Sequence, residues 1–443
     1  MRQLLPLLFC CLLCPAGLAA ELLVGAAKVD LTPAADALPA HYLGINDPVF
    51  SRAIVLDNGD TRAALVTVDA GSVPNELWND VATRLEQELA IPRAQLLLSA
   101  THTHSVPRQT AADYADKVVQ SVRAAVARLQ PARMAWGTGV SYININRTMV
   151  KPDTGRWGEG PNYEGPSDKT VAVLSFDTLQ GEPIAVYYNY AVHAVISGQL
   201  DEVSGDIPGA SSRYLERALG NDAVAVWSLG AAGDQNPIFF QQTYDLRRIR
   251  IDDYARRGED ISNTMLPGGM GLDRSNAEVA RLMQEQRQIQ VSMGQMLGEE
   301  VLHVRRAGLE RAQTEVSIGG AQRALICPGR RRLDSGREGS PGTYADGDEV
   351  QFNLGLLRLG DVQLGAVNAE IFNPIATRLK AESPYKHTML VTLANGVANS
   401  GYVPHDAAFG YHAFEVLSSR LQQGCAEKGI VDGIVELMTQ LDR

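Results

Sequence analysis

The chain has 443 residues, 45% of them hydrophobic, and a formal net charge of −11 at pH 7. An acidic surface with no basic run repels polyanions on average, which argues against nucleic acid as a partner. The length is ample for a large core, and beyond the N-terminal leader no stretch is apolar for long enough to cross a bilayer, so no transmembrane partner is implied.

The chain opens MRQLLPLLFCCLLCPAGLAAE, with Arg2 before an apolar run that Gly17, Ala19 and Ala20 close. This reads as a secretory signal peptide over residues 1–20, so the mature protein is expected to be exported, periplasmic or secreted. Pro15 directly after Cys14, and no small residue directly before it, argue against lipidation there. Cys10, Cys11 and Cys14 would leave with the leader. Cys327 and Cys425 remain, and in an oxidising compartment they either pair or stand as separate buried thiols.

Strand patterns follow in ELLVGAAKVDLT, SRAIVLD and TRAALVTVDAG, the last two separated by a turn at Asn58-Gly59-Asp60. Helical spacing appears over residues 75–89 and 111–129, on either side of the strand pattern QLLLSATHTH. Further strands are predicted in KTVAVLSFD, EPIAVYYNYAVH, DAVAVWSLG, QFNLGLLRLGD and VQLGAVNAE. Residues 276–304 read as one long helix with Ala277, Val279, Leu282, Met283, Ile289 and Met293 towards protein. The segment 327–348 reads as a surface loop with Arg330, Arg331 and Arg332 on a solvated face, and the C-terminal pattern suggests helices. Strand–helix alternation of this kind predicts an α/β fold with a mixed-sheet core and flanking helices, as one domain over residues 21–443.

Only eight histidines occur, and two stand at His102 and His104 after an apolar run. Strand alternation would put both on one side, facing one cavity or, alternatively, solvent at an edge. His193 ends EPIAVYYNYAVH and Glu370 ends VQLGAVNAE in the same way. Strand ends are where α/β proteins assemble sites from residues distant in sequence. Two imidazoles, a carboxylate and a further oxygen donor suit zinc with a position open to water. No pentapeptide nucleophile elbow surrounds Ser105, so serine catalysis is not indicated.

The chain resembles the neutral (non-lysosomal) ceramidase family in SATHTHSVP at 99–107, Asn146-Arg147, YAVH at 190–193 and SGDIPG at 204–209. The similarity continues in LGAAGDQNP at 229–237, AVNAE at 366–370 and LANGVANSGYV at 393–403. The resemblance implies a zinc-dependent amidase domain of the kind that cleaves the fatty-acyl amide of ceramide. It implies one zinc per chain held by His102, His193, Glu370 and Tyr402, with His104 beside it for proton transfer and Arg147 in the pocket. Asp69, Asp234, Asn236, Tyr411 and Phe414 are candidates for substrate contact or for orienting the imidazoles.

Two departures matter. The family's Gly-Asp-Val-Ser-Pro-Asn signature stands here as Gly233-Asp234-Gln235-Asn236-Pro237-Ile238, so Asn236 replaces its serine. A second pocket tyrosine of the family corresponds to Phe414, with Tyr411 three residues earlier as a possible substitute. The family's C-terminal immunoglobulin-like domain is not expected in this chain. The expected function is therefore hydrolysis of an acyl amide or related ester, with ceramide not the best substrate. A lipid-like, glycan or other small-molecule substrate fits the same pocket, and the alternatives are a carbohydrate hydrolase and a non-catalytic zinc-containing binding protein.

Overall fold

A computed structural model of the chain describes residues 21–107, 112–220, 222–262, 269–336 and 338–443. The predicted leader over residues 1–20 lies outside the described residues. Runs rich in β-branched and aromatic residues become strands, and their side chains alternate between two faces. In the strand Arg62–Val68, Leu65 points into one core while Ala64 and Val66 point into another.

Eight strands form the larger sheet in the spatial order Val224–Leu229, Pro183–Tyr190, Thr170–Thr178, Gln130–Val140, Leu23–Asp30, Phe50–Asp57, Arg62–Val68, Leu96–Ala100. The outermost pairs at both ends are parallel and the pairs between them antiparallel. The sheet curls until its ends meet: Thr67 Oγ1 donates a 2.6 Å hydrogen bond to the carbonyl of Trp227. That closure brings the ends of Leu96–Ala100 and Pro183–Tyr190 together, although almost the whole sheet separates them along its hydrogen-bonded order.

A second sheet of four strands, Ile318–Arg332, Tyr344–Leu359, Val362–Val367 and His387–Val391, packs on the first. The shared core contains Leu56, Leu65, Phe176, Tyr187, Leu357, Leu364 and Met389. Helices Asn75–Leu89 and Tyr114–Val126 cover one half of the larger sheet's outer face, and Asp206–Leu219 and Ala277–His303 cover the other. Helices Asn373–Glu382 and Ala426–Leu441 cover the smaller sheet. The result is a four-layer helix–sheet–sheet–helix arrangement, the mixed-sheet α/β class read from the sequence. No helix among the described residues is long and apolar enough to cross a membrane.

Three local expectations are corrected. Residues 327–348 are not one loop: Ile318–Arg332 and Tyr344–Leu359 form a long hairpin, joined by residues 333–343. The arginine and glycine content of this segment hid the pairing, and Arg330 is spent on the carbonyls of Ser419 and Val416. Ala277 is exposed at the first turn of its helix, before the buried stripe of Val279, Leu282 and Met283 begins. The strand before the paired histidines ends at Ala100, so His102 and His104 lie beyond it. Cys327 and Cys425 pair as a disulfide, with a Cα–Cα distance of 5.7 Å.

Candidate functional site

The site is built where the two histidine-bearing segments leave their strands. His102 has a left-handed backbone, φ 65°, which is uncommon outside glycine and costs energy that surrounding contacts must offset. Its amide donates to the carbonyl of Ala70 at 2.9 Å, and its ring Nδ1 lies 2.7 Å from the carbonyl of Gly71. The turn, rather than strand alternation, brings both rings together, with their centroids 4.7 Å apart. The amide of His104 donates to the carbonyl of Ala194 at 3.1 Å, tying this turn to the segment carrying His193. His193 is 1% exposed, and both its amide and its Nδ1 reach the carbonyl of Gln235, at 3.2 and 3.1 Å.

These contacts determine the tautomers. A carbonyl only accepts, so Nδ1 of His102 and of His193 must carry the proton, which leaves each Nε2 as a lone pair in the neutral ring. Both lone pairs point to the same place. Glu370 Oε2 lies 3.4 Å from His102 Nε2 and 3.3 Å from His193 Nε2. His104 Nε2 lies 3.2 Å from His102 Nε2. His193 Nε2 and Glu370 Oε2 are buried without a hydrogen-bond partner, acceptor facing acceptor. Buried polar atoms are rarely left so, because each costs about 1–3 kcal/mol. A cation between them resolves the clash, and the nitrogen-plus-carboxylate donor set suits a zinc-like ion better than calcium or magnesium.

Charge coupling is strong here. Burial disfavours both ions, yet the His102–Glu370 pair holds the carboxyl well below its ordinary range and raises the imidazole. Burial and the nearby Arg147 lower His193 to about 4. His104 has solvent access from one side, but close packing on the other and the two neighbouring imidazoles hold its pKa well below the ordinary histidine value.

Tyr402 stands in register with Glu370 in a short parallel pair, Glu370–Ile371 with Tyr402–Val403. Its ring centroid is 6.5 Å from that of His193. Burial, with Glu370 nearby, raises the phenol, so it is neutral, and the Arg147 guanidinium lies over its ring.

Arg147 forms the opposite wall and is itself fully engaged. Nε donates to Glu415 Oε1 at 2.6 Å, Nη1 to Asn236 Oδ1 at 3.1 Å and Nη2 to the carbonyl of Gly233 at 2.7 Å. Its guanidinium lies over the rings of Phe414 and Tyr402, at 5.1 and 5.5 Å. Asn236 is equally committed, with Nδ2 donating to Glu159 at 2.8 Å and to the Tyr244 hydroxyl at 3.3 Å. Asp234 stands behind this wall: its carboxylate accepts from Asn146 Nδ2 and the Asn373 amide, and burial raises it to about 6.

The other sequence candidates lie further out. Phe414 packs edge-on against Tyr402 at 5.7 Å. Tyr411 stacks on Trp157 at 4.2 Å. The carboxylate of Asp69 accepts from the Phe50 amide and Arg52, in a buried ion network that continues to Glu216 rather than to the imidazoles. Glu415, Glu159 and Tyr244 escaped the sequence reading. Glu415 had one signal, a lone acid inside the apolar stretch AFEVL. Gly71 and Gln235 act through their carbonyls, for which side-chain chemistry provides no sign.

Residues 37–245 match the family model for the neutral/alkaline non-lysosomal ceramidase N-terminal domain. Over that segment the chain is similar to the neutral ceramidase family. Among relatives of this family, neutral ceramidase B of Dictyostelium discoideum is 28% identical over 206 residues, covering 41% of this chain and 29% of the relative. The neutral ceramidase of Pseudomonas aeruginosa is 26% identical over 250 residues, covering 48% of this chain and 36% of the relative. The chain thus spans about a third of the length of the curated relatives it matches. The crystal structure of the Pseudomonas aeruginosa enzyme superposes with a TM-score of 0.69 at 18% identity, over 95% of this chain and 75% of that one. A ceramidase structure described as complexed with C2 gives the same TM-score of 0.69 over 95% of this chain and 76% of that one, which shows a shared fold.

Proposed function

We infer that residues 21–443 act as one neutral-ceramidase-like unit, exported after removal of the leader, that hydrolyses an acyl amide or a related ester with one zinc ion. The observation that carries this reading is the meeting of His102 Nε2, His193 Nε2 and Glu370 Oε2 within 3.3–3.4 Å, with buried lone pairs facing each other. These three residues, with Tyr402 as the further oxygen donor, would hold the ion. Bound there, zinc would supply Lewis acidity towards a carbonyl oxygen and lower the pKa of a water.

The remaining chemistry belongs to the chain. His104 differs from its neighbours because its Nδ1 has no carbonyl anchor among the described residues and one side of its ring is open to solvent. A ring free to exchange a proton suits transfer rather than fixed ligation. His104 Nε2 would accept the proton of the attacking water and return it to the departing nitrogen. Arg147 would act mainly by holding Asn236 in place and packing over the Tyr402 ring, since three of its donors already have partners.

Asn236 and Phe414 argue against ceramide as the best substrate. The amide of Asn236 is spent on Arg147, Glu159 and Tyr244, and Phe414 has no hydroxyl to offer an oxyanion. The test is a substrate panel on zinc-loaded and chelator-treated protein: detergent-dispersed ceramide, short N-acyl amino compounds, esters and glycans. Turnover of a short acyl amide above ceramide, lost on chelation, is the expected result. Turnover of glycans alone would move the assignment to a carbohydrate hydrolase.

A further inference from the structure

A second cavity lies on the other side of the segment that delivers Glu370. It is a groove of about 730 Å³ between the helix Asn75–Leu89 and the smaller sheet, and it shares no residue with the histidine cleft. Its lining is dominated by carboxamides, among them Asn353, Asn368 and Asn395.

Asn368 and Asn395 are 2% and 6% exposed, so each is nine-tenths buried. Their amide orientations are imposed by the backbone: Asn368 Oδ1 accepts from the Asn353 amide and Asn395 Oδ1 from the Leu98 amide, both at 2.9 Å. An oxygen pinned in this way turns the NH2 group to the opposite side. Neither nitrogen has a protein acceptor among the described residues, nor does that of Asn353. Gly355, another lining residue, keeps the approach open: a Cβ there would stand 3.6 Å from Asn395 Nδ2. Two acceptors complete the set. Gln322 and Gln351 donate through Nε2 to the Arg93 carbonyl and to Asn353, which leaves each Oε1 free at the groove's edge.

Oriented donors and free acceptors in one groove match a ligand whose groups both donate and accept, and hydroxyls do both. Charge points the same way. Arg323 is paired with Glu436, Arg93 is stacked on Trp78 at 5.3 Å and bonded to Asn79, and the net charge of −11 disfavours an anion. We propose that this groove is a binding site for a neutral sugar, either a free oligosaccharide or the headgroup of a glycolipid, separate from the hydrolytic cleft.

The test uses the full chain in two arms. Calorimetric titration with maltotriose, cellotriose and N-acetylchitotriose probes free sugars. Co-sedimentation with phosphatidylcholine vesicles, with and without a glucosyl lipid, probes headgroups. Binding is expected in one arm at least, and N368D and N395D should weaken it at least tenfold. Each substitution keeps the pinned oxygen and removes the donor. N353D, at a half-buried position, provides the same reading if either buried variant fails to fold. Thermal midpoint should be retained in the folded variants, and H193A should leave sugar binding unchanged. No sugar-dependent binding in either arm, equal binding by the asparagine variants, or loss of binding in H193A would each overturn the proposal.

Discussion

The two walls of the histidine cleft obey opposite rules. On one wall, His102 and His193 are anchored from behind by carbonyls, and His193 Nε2 and Glu370 Oε2 are left unsatisfied in front, converging on a point. On the other, Arg147 is equally buried, but Glu415, Asn236 and the Gly233 carbonyl take up its donors. The difference separates ligand-seeking groups from shape-holding ones. A buried polar atom without a partner marks where something must bind, whereas a saturated one marks what keeps the cavity in form.

Breaking the unsatisfied wall should have the largest effect. H193A removes one of the converging lone pairs, so the purified variant should lose most of its zinc by elemental analysis and all measurable amide turnover. Its thermal midpoint without metal should stay close to that of chelated wild type. Full zinc occupancy in H193A would show that the convergence is not the metal site.

His104 stands between the two kinds of wall, open on one side and unanchored. H104A should keep near-stoichiometric zinc and lose roughly 10²–10⁴-fold in kcat, the range for a general acid–base group. Equal loss of zinc in H104A and H193A would make it a ligand instead.

The saturated wall should fail through stability rather than through metal. R147M strands Glu415, which is 1% exposed, without its cation, and removing one partner of a buried pair costs about 3–5 kcal/mol. Denaturant unfolding should show that loss, and R147M/E415L should recover part of it, with zinc content unchanged in the folded fraction.

The smallest effect lies outside both walls, where all the partners of a buried acid are neutral. Burial raises Asp206 from 3.8 to about 6, against hydrogen bonds from Ser197 and the Ile207 amide. The folded state therefore binds this proton more tightly than the unfolded chain. Its stabilising contribution is complete below about pH 4 and is lost as pH rises through about 6. D206N should flatten that part of the stability–pH curve by about 3 kcal/mol, since the shift spans about two pKa units at about 1.4 kcal/mol each. An unchanged slope in chemical denaturation between pH 4 and 7 would count against this assignment.

Much of the architecture was legible because it is periodic. The strand patterns in SRAIVLD and DAVAVWSLG and the helix over 276–304 depend on repeats of two or 3.6 residues, which local sequence displays. The hairpin around 327–348 was obscured because its exposed positions carry arginine and glycine, which resemble a loop when the partner strand is out of view. The site was legible only at the level of residue type. His102, His193, Glu370 and Tyr402 could be named from chemistry and family resemblance, but the carbonyl anchors of Gly71 and Gln235 could not. Glu415 showed only as a lone acid in the apolar stretch AFEVL, with nothing nearby in sequence to name its partner.

What the sequence determined by itself was therefore the alternation of elements, the scarcity and placement of its histidines, and the substitution of Asn236 and Phe414 into a familiar pattern. Tertiary structure alone decided the pairing of Cys327 with Cys425, the turn at His102 and the meeting of strand ends across the curled sheet. It also decided which buried polar atoms found partners. The physical reason is range. Propensity and amphipathic period act over a few residues, whereas hydrogen-bond satisfaction in the site joins groups such as Arg147 and Glu415, 268 residues apart. Only the packed chain can complete such bonds, or leave His193 Nε2 and Glu370 Oε2 facing each other without one.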